Sequence, residues 1–369
     1  MTGAKRTGAE RGRVSDEPRP TDAGRVGGNR ELAGAEQEGE ERADSGTDGV
    51  RAGVERDEAT RRDSNALAAA AENPRARFLF VSGSRVAVEP GAERVLALSA
   101  GCVAPEARRR AVYLGLVDGA PYFACDVGDA DDSARDPRLV SRAIPAASRP
   151  AAVAEGDERA WSVSADFASV PLTSHLWPSV EAELAVEAVA ISNWIGGTRF
   201  CHRCGEPLSL RSGGWEMVCG RGHTVFPRVD PAVIMAVRDA EDRLLLARNG
   251  RWAPGRLSVL AGFVEAGEPL ESAVAREVLE ETGVVVDDVA YVTSQPWPFP
   301  RSLMLAFEGR TRARQEDVKV DGEELVFARF FSREEFSGAL ASGEIGLPTP
   351  TSVSARLIER WLGRPLADV

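Results

Sequence analysis

Histidine, tyrosine and cysteine are scarce in this chain, which has three, three and five of them among 369 residues. An odd number of cysteines argues against the disulfide framework that holds many small secreted proteins together. No apolar run approaches the ~20 residues that cross a bilayer, and the first residues contain no apolar signal-peptide segment. We therefore expect a soluble, cytoplasmic protein that makes no contact with a membrane.

Positive charge is also in the minority. Lysine and arginine total 45 against 57 aspartates and glutamates, which gives a net charge of −12 and a pI of about 5.0. This balance argues against broad electrostatic binding to nucleic acid, although it leaves room for a local basic strip. No G-x-G-x-x-G follows a strand pattern, so the sequence predicts no Rossmann cofactor site. The length is sufficient for two or three domains.

Residues 1–74 differ in composition from the rest. They are rich in Arg, Glu, Asp, Gly and Ala and nearly free of aromatic and β-branched residues. Such a segment buries too little apolar surface to offset the entropy lost on ordering. We predict a disordered tail.

Residues 75–198 have the pattern of an α+β domain. Its strand candidates are Phe78–Val81, Arg94–Leu98 and Ala111–Val117. Asp118-Gly119 is a hairpin signal after the last of these strands. Residues Ser179–Trp194 have apolar positions at helical spacing, which predicts an amphipathic helix. Nothing in this domain's sequence indicates chemistry.

Three cysteines and a histidine form two short pairs in residues 199–228. Cys201 and Cys204 are spaced C-x2-C, and Cys219 and His223 follow as C-x3-H after fourteen intervening residues. Tetrahedral Zn²⁺ takes four such donors, so the spacing predicts a zinc ribbon with a closed, structural site. His202 is a rival fourth ligand, but its neighbour Cys201 would strain the chelate. The alternative is a set of reduced cysteines without metal.

The most informative segment runs from Gly262 to Val284. Glu277, Glu280 and Glu281 fall at i, i+3 and i+4 and therefore on one face of a helix. Like charges at that spacing destabilise a helix unless a cation neutralises them, and hard divalent cations prefer oxygen ligands. The segment predicts metal-assisted chemistry on phosphate. The alternative, a solvated acidic helix, does not explain the accompanying glycine, glutamate and arginine positions.

The local structure of this segment can also be predicted. Pro269 suits the first turn of a helix, and Gly283 suits a left-handed cap at its end. The intervening Ala273 and Val278 belong to an apolar stripe that buries away from the glutamates. Residues 284–286 are three valines, which predicts a strand.

A proline-rich stretch eleven residues further on, Ser294–Ser302, is the next distinctive feature. It reads SQPWPFPRS, with prolines at every second position in its middle. Proline fixes φ and removes a donor, so we predict a stiff extended arm, which we call the proline arm. Its aromatic residues can form a wall for a base or a nicotinamide ring at little cost in ordering entropy. The alternative is a rigid loop that packs on the core.

These features together carry a family resemblance. The glutamate segment matches the Nudix box of Nudix hydrolases. The order of zinc ribbon, Nudix box and SQPWPFPxS is similar to the NADH pyrophosphatase (NudC-like) branch over about residues 75–365. The resemblance implies an α+β chain in which a Nudix αβα sandwich with a mixed sheet, residues 229–369, follows the zinc ribbon and the α+β N-terminal domain.

The same resemblance implies an activity. Members of this branch cleave the pyrophosphate of NADH or NAD⁺ to NMN(H) and AMP, with removal of NAD caps from RNA as a further activity. It implies Mg²⁺ or Mn²⁺ as the catalytic metal, Zn²⁺ in the ribbon, and a homodimer whose pockets borrow residues across the interface. A Nudix hydrolase of ADP-ribose, FAD or another dinucleotide stays open, as does a non-catalytic module that binds nucleotide or RNA.

Site residues follow position by position from the resemblance. The implied metal ligands are the carbonyl of Ala261, Glu277, Glu280, Glu281 and Glu324, with Glu323 as the alternative to Glu324. Arg276 is expected to orient a glutamate. Either Glu280 or Glu281 accepts the proton of the attacking water.

The implied substrate-binding residues are Phe226, Phe263, Gln295, Pro296, Trp297, Pro298, Phe299, Pro300, Arg301, Ser302 and Ser354. Phe226 stands where the family usually has tyrosine, so stacking survives and a hydroxyl hydrogen bond is lost. Phe327 replaces an acidic residue that is often found just after Glu324, which puts one outer metal contact in doubt. His223 replaces a fourth cysteine, one position later.

Overall fold

The computed structural model describes residues 53–91, 93–128, 166–320 and 322–369, all within one compact unit that runs from Arg51 to Val369. Most of the predicted disordered tail, residues 1–52, lies outside the described residues. Among the described residues, no helix has the length and apolar character needed to cross a membrane.

The elements of the first half are α1 (Glu58–Arg62), α2 (Ser64–Glu72), β1 (Arg77–Ser82), β2 (Arg85–Val88), β3 (Leu98–Ser99), α3 (Pro105–Arg110), β4 (Val112–Val117), β5 (Ala120–Asp126), β6 (Asp166–Ser169), α4 (Val170–Thr173) and α5 (Ser179–Gly197). Those of the ribbon are β7 (Leu208–Arg211), β8 (Glu216–Cys219) and β9 (Thr224–Val225).

The elements of the second half are β10 (Asp230–Arg238), β11 (Leu244–Asn249), β12 (Leu260–Phe263), α6 (Leu270–Thr282), β13 (Asp287–Trp297), β14 (Ser302–Arg310), β15 (Leu325–Phe331), α7 (Arg333–Ala341) and α8 (Val353–Leu362). Short 3₁₀ turns occupy residues 100–102, 174–176, 212–214, 315–317 and 366–368.

The prediction of disorder was wrong for residues 53–74, where α1 and α2 form. The backbone of Glu55 exchanges two hydrogen bonds with Leu116 of β4, at N–O distances of 2.9 and 2.8 Å. The guanidinium of Arg61 lies 4.0 Å above the ring of Trp215. These contacts join residues far apart in the chain, and they offset the ordering entropy that composition alone could not balance.

The N-terminal sheet is mixed and has the order β4-β5-β1-β2-β6, with β3 also paired to β1. The strands predicted at Phe78–Val81 and Ala111–Val117 and the helix at Ser179–Trp194 are confirmed. The strand predicted at Arg94–Leu98 shrinks to a single bridge at Val95 and the two residues of β3.

The C-terminal sheet repeats the pattern, with the order β13-β14-β10-β11-β15 and β12 paired to β10. In each sheet one parallel pair, β1 with β5 or β10 with β14, lies among antiparallel pairs. Along β10, Val233 and Met235 face α6, while Ile234 and Ala236 face α7 and α8. The sheet is therefore covered by helices on both sides, which confirms the predicted αβα sandwich with a mixed sheet.

Helix α6 begins after Pro269 and ends at Gly283, whose φ of 70° is the left-handed cap that the sequence predicts. The strand predicted at residues 284–286 does not form. Val284 and Val286 are buried instead, and Val286 packs where a side chain on Gly309 would stand. The first and third valines are therefore buried by packing on the core and not by pairing in a sheet.

Candidate active site

A cavity of about 650 Å³ lies beside α6, and six glutamates and one arginine line it. The charged residues are Glu265, Arg276, Glu277, Glu280, Glu281, Glu323 and Glu324. Such an excess of carboxylates is unfavourable without cations, so this glutamate cavity suits hard divalent metal ions.

The 3.6-residue period of α6 places its glutamates and its buried apolar residues on different faces of the helix. Ala273, Val274 and Val278 are fully buried against the sheet, and this turns Glu277 toward β12. There the carboxylate lies against Gly262, where a Cβ atom would come within 2.3 Å of both oxygens of Glu277. The glycine at this position therefore makes room for the carboxylate.

All three nitrogen atoms of the Arg276 guanidinium donate hydrogen bonds at the edge of the cavity. Its Nε and Nη2 donate to the carboxylate of Glu268 at 2.8 and 2.9 Å, and Nη2 also donates to the carbonyl of Phe263 at 2.9 Å. Its Nη1 donates to Glu277 at 2.9 Å and to Glu280 at 3.0 Å. Arg276 thus orients two predicted metal ligands, and Glu268 ties the loop before the helix to the helix itself.

These contacts shift the pKa values of the carboxyls in opposite directions. Hydrogen bonds from Arg276 and from the backbone N–H of Glu265 lower the pKa of Glu268 to about 2. Burial raises the pKa of Glu277, and the charges of Glu280 and Glu324 add to that rise while Arg276 opposes it. A bound cation would favour the ionised form of Glu277.

The remaining predicted metal ligands reach the same cavity. Glu281 is 8% exposed, which makes it a buried carboxylate on the side of α6 that faces the cavity. Ala261 of β12 lines the cavity, and so do both candidates after the last loop, Glu323 and Glu324. The choice between Glu323 and Glu324 stays open.

A second, mostly apolar cavity of about 240 Å³ adjoins the first. The two share Ala261, Glu281 and Met304. Trp252 and Trp297 contribute aromatic surface to this apolar cavity. A carboxylate site and a pocket of base-sized volume therefore lie side by side.

Five of the eleven predicted substrate residues line one of the two cavities. Gln295, Trp297 and Ser354 line the apolar cavity, while Phe263 and Ser302 line the glutamate cavity. Phe263 is 61% exposed and has a face available for stacking.

Gln295 and Ser354 are already hydrogen-bonded within the protein. Gln295 donates to the carbonyl of Thr351 at 2.6 Å and accepts from the N–H of Val353 at 2.7 Å. The hydroxyl of Ser354 lies 2.6 Å from that of Ser258. Both residues therefore shape the wall of the apolar cavity and fix the start of α8.

The proline arm is the end of a hairpin and not a free extended segment. Gln295, Pro296 and Trp297 belong to β13 and pair with β14, and the Phe299–Pro300 peptide is cis. Proline is tolerated here because β13 is an edge strand of the sheet.

Six predicted substrate residues line neither cavity in the described chain. They are Phe226, Pro296, Pro298, Phe299, Pro300 and Arg301. Phe299 packs against the N-terminal core, and Arg301 donates to Asp230 at 2.6 Å. Of the six, Pro296 lines a different cavity, beside α5. For the residues of the arm the reason is the hairpin turn, which directs the tip of the arm toward the N-terminal domain.

Sequence reasoning missed Glu265, Asn249, Trp252 and Ser258, which also line the two cavities. Asn249 and Trp252 lie in or beside the loop between β11 and β12, where no periodic spacing draws attention to them. The only available signal was a large aromatic residue in a loop rich in glycine and proline.

The ribbon brings its four predicted ligands together. Ligand atoms of Cys201, Cys204, Cys219 and His223 all lie within 4.8 Å of one another. Burial raises the pKa of Cys201, but backbone N–H groups and the ring of His223 outweigh it and lower the pKa to about 6. Thiolates and an imidazole are a donor set for a soft or borderline metal, so the cluster can hold a metal ion. His202 is exposed and outside the cluster.

Comparison with known proteins agrees with this geometry. The family model of the NUDIX domain matches residues 228–348, and that of the NADH pyrophosphatase-like rudimentary NUDIX domain matches residues 72–194. The chain is 37% identical over 321 residues to the NAD-capped RNA hydrolase NudC of Mycobacterium bovis, covering 84% of this chain and 93% of that protein.

Two further matches are shorter. The NAD-capped RNA hydrolase NUDT12 of Macaca fascicularis is 38% identical over 195 residues, which is 49% of this chain and 42% of that protein. A crystal structure of a NUDIX hydrolase from Nitrosomonas europaea is 22% identical, with a TM-score of 0.36 over 46% of this chain and 95% of that one. The match to NudC over most of the chain and the two domain matches are consistent with the glutamate helix and the proline arm. From these matches we conclude that the chain belongs to the NUDIX family, in its NADH pyrophosphatase-like, NudC branch.

Proposed function

We propose that this protein hydrolyses the pyrophosphate of NADH or NAD⁺ to NMN(H) and AMP, and that it removes NAD caps from RNA. The observation that carries the proposal is that the glutamate cavity and the apolar cavity adjoin, with Ala261, Glu281 and Met304 lining both. A dinucleotide needs both a place for its pyrophosphate and a place for a flat ring. The names of the NudC and NUDT12 relatives support the same substrates.

The cluster of carboxylates fits Mg²⁺ or Mn²⁺, which would be held by Glu277, Glu280, Glu281, Glu324 and the carbonyl of Ala261. When bound, such ions neutralise charge on the pyrophosphate and lower the pKa of the attacking water. The Cys₃His cluster of the ribbon fits Zn²⁺ instead, and its four donors close the site, so its role is structural. Measuring the metal content of the wild-type protein and of a Cys204→Ser variant tests that assignment.

The chain's own residues perform the remaining tasks. Glu280 or Glu281 accepts the proton of the water that attacks phosphorus. A P–O bond to the water oxygen forms, the bridging P–O bond of the pyrophosphate breaks, and the phosphate of NMN(H) or AMP leaves. Arg276 holds Glu277 and Glu280 in position by charge-assisted hydrogen bonds. The aromatic wall that includes Trp297 binds a ring of the substrate and excludes water.

We further propose a homodimer in the cytoplasm. Phe226 is 65% exposed and lines neither cavity of its own chain, which fits a residue that completes the pocket of a second copy. The measured mass in solution tests the dimer.

The decisive experiment compares NADH, NAD⁺, ADP-ribose, FAD and NAD-capped RNA as substrates, with and without Mg²⁺ or Mn²⁺. Glu280→Gln and Glu281→Gln are assayed beside the wild type. Mutating a residue that only supports a metal ligand typically lowers metal affinity or activity by about 10–100-fold. We therefore expect the loss of a ligand itself to lower kcat/KM by at least roughly 100-fold.

Near-wild-type turnover by both variants would refute the metal assignment. A preference for ADP-ribose or FAD over NADH would replace the proposed substrate. Nucleotide binding without metal-dependent turnover would indicate a binding module, a function that the full set of glutamates argues against.

A further inference from the structure

A short basic loop joins β11 to β12. Residues 250–256, which we call the Arg-Trp loop, read Gly-Arg-Trp-Ala-Pro-Gly-Arg and contain no acidic residue. The chain as a whole carries a net charge of −12, so the loop is opposite in sign to the chain's overall charge. Its basic residues are Arg251 and Arg256.

The loop exposes an aromatic ring between its two cations. Trp252 is 36% exposed and lies at the rim of the apolar cavity, and the guanidinium of Arg256 is 5.4 Å from the centre of its ring. Arg251 and Arg256 are exposed, and neither forms an ion pair with an acidic residue in the part of the chain that the structure describes. The two guanidinium groups are therefore free to bind an anion.

Hydrogen bonds hold the loop in one conformation. Two are within the loop and its start, from the N–H of Trp252 to the carbonyl of Asn249 at 3.0 Å and from the N–H of Arg256 to the carbonyl of Ala253 at 3.2 Å. Two tie it to the rest of the protein, from the N–H of Gly250 to the carbonyl of Glu324 at 3.0 Å and from the N–H of Gly346 to the carbonyl of Gly255 at 2.9 Å. Gly255 has a φ of 81°, and a Cβ atom there would lie 2.6 Å from the carbonyl of Glu344. A loop fixed in this way loses little entropy on binding a ligand.

The position of the loop decides which anion it would meet. The N–H of Gly250 donates a hydrogen bond to the carbonyl of Glu324, a predicted metal ligand. The loop therefore starts beside the glutamate cavity, where the pyrophosphate is proposed to bind. A NAD-capped RNA differs from free NAD in the chain that continues from its adenosine. That chain adds one negatively charged phosphate and one base per nucleotide. Proteins bind single strands with basic side chains on the phosphates and aromatic rings stacked on the bases.

We propose that the Arg-Trp loop binds the RNA that follows the cap, with Arg251 and Arg256 on its phosphates and Trp252 on a base. The proposal rests on the proposed function, because it assigns the part of the substrate that NADH lacks. It makes the two arginines determinants of specificity for capped RNA over the free dinucleotide.

The test compares kcat/KM for NADH and for a short NAD-capped RNA in the wild type and in the Arg251→Ala/Arg256→Ala double variant. At low salt we expect kcat/KM of the variant for capped RNA to fall by roughly tenfold or more. The slope of log kcat/KM against log salt concentration should become shallower by about 0.7 for each RNA phosphate that the variant no longer binds. Turnover of NADH should stay within twofold of wild type. The Arg251→Lys/Arg256→Lys variant should keep most of the activity on RNA, since lysine still binds phosphate as a point charge.

Arg109→Ala/Arg110→Ala, which removes two exposed arginines from α3, is the matched control for the loss of two charges and should leave the turnover of both substrates unchanged. Equal losses on NADH and on capped RNA would show that the loop binds the dinucleotide itself and would overturn the proposal. So would an unchanged rate on RNA. Wild-type protein that cleaves neither substrate would refute the proposed function and this inference together.

Discussion

Gly262 shows how a single residue can govern the metal site. A methyl group at this position would lie 1.9 Å from the carboxyl carbon of Glu277. We expect Gly262→Ala to displace that carboxylate and to lower kcat/KM for NADH by on the order of 100-fold, since a misplacement of ~1 Å can cost that much. The metal concentration needed for half-maximal rate should rise as well. Steady-state kinetics over a range of Mn²⁺ concentrations measures both effects.

Gly338→Ala is the control for this change. Gly338 lies in α7, and a Cβ atom there would meet nothing within 4 Å. Alanine in an exposed helix should stabilise the fold by roughly 0.5–1 kcal/mol and leave the kinetics unchanged. A Gly262→Ala enzyme with wild-type rates would contradict the close packing of Glu277 against β12.

At the scale of elements, helix α5 holds the tip of the proline arm. The amide nitrogen of Asn193 donates to the carbonyls of Pro298 and Pro300, at 2.8 and 3.4 Å. In Asn193→Asp a carboxylate would face these carbonyls, so the tip should move. Because Trp297 is close by on the wall of the apolar cavity, we expect KM for NADH to rise by roughly tenfold, the cost of about 1.4 kcal/mol of lost binding, with kcat little changed.

Ser192→Ala, the neighbouring position on the same helix, is the matched control. The Ser192 hydroxyl is buried and has no hydrogen-bond partner among the described residues, so alanine should leave KM unchanged. A rise in KM that also appeared in this variant would point to general damage to α5. A fall in kcat without a rise in KM for Asn193→Asp would contradict the role given to the arm.

The elements that the sequence predicts well are those set by local rules. The spacing of Glu277, Glu280 and Glu281, the proline before α6 and the glycine after it all act within one helix. The wall of the apolar cavity depends on contacts such as that of Gln295 with Val353, 58 residues away. No local pattern carries such contacts, and for that reason the turn of the proline arm and the role of Trp252 were not predicted.

At the scale of the whole molecule, a buried charge joins α1 to α5. Glu187 is 6% exposed and forms ion pairs with Arg56 and with Arg61. Burial nevertheless raises the pKa of Glu187 from 4.5 to about 7, because desolvation outweighs the two arginines. The folded state therefore binds a proton at Glu187 more tightly than the unfolded state does.

This shift predicts how stability depends on pH. The contribution of Glu187 is fully present below pH 4.5 and is lost as pH rises toward and through about 7. At roughly 1.4 kcal/mol per pKa unit, the loss is on the order of 3 kcal/mol. Glu187→Gln lacks this titration, so its free energy of unfolding should rise relative to wild type between pH 5 and pH 8. Denaturant unfolding of both proteins across that range measures the difference, and a constant difference would contradict the prediction.

The pairing order shared by the two sheets has a consequence for the history of the chain. The same topology occurs twice in tandem, and only the second copy has the glutamate helix between its third and fourth strands. In the first copy that place is taken by Pro105–Arg110, six residues with three arginines and one glutamate. Without the glutamate helix the first copy has no counterpart of the glutamate cavity, so selection on it acts through packing and through its contacts with the second copy. Its sequence should therefore diverge faster than that of the second copy, except where it contacts the proline arm.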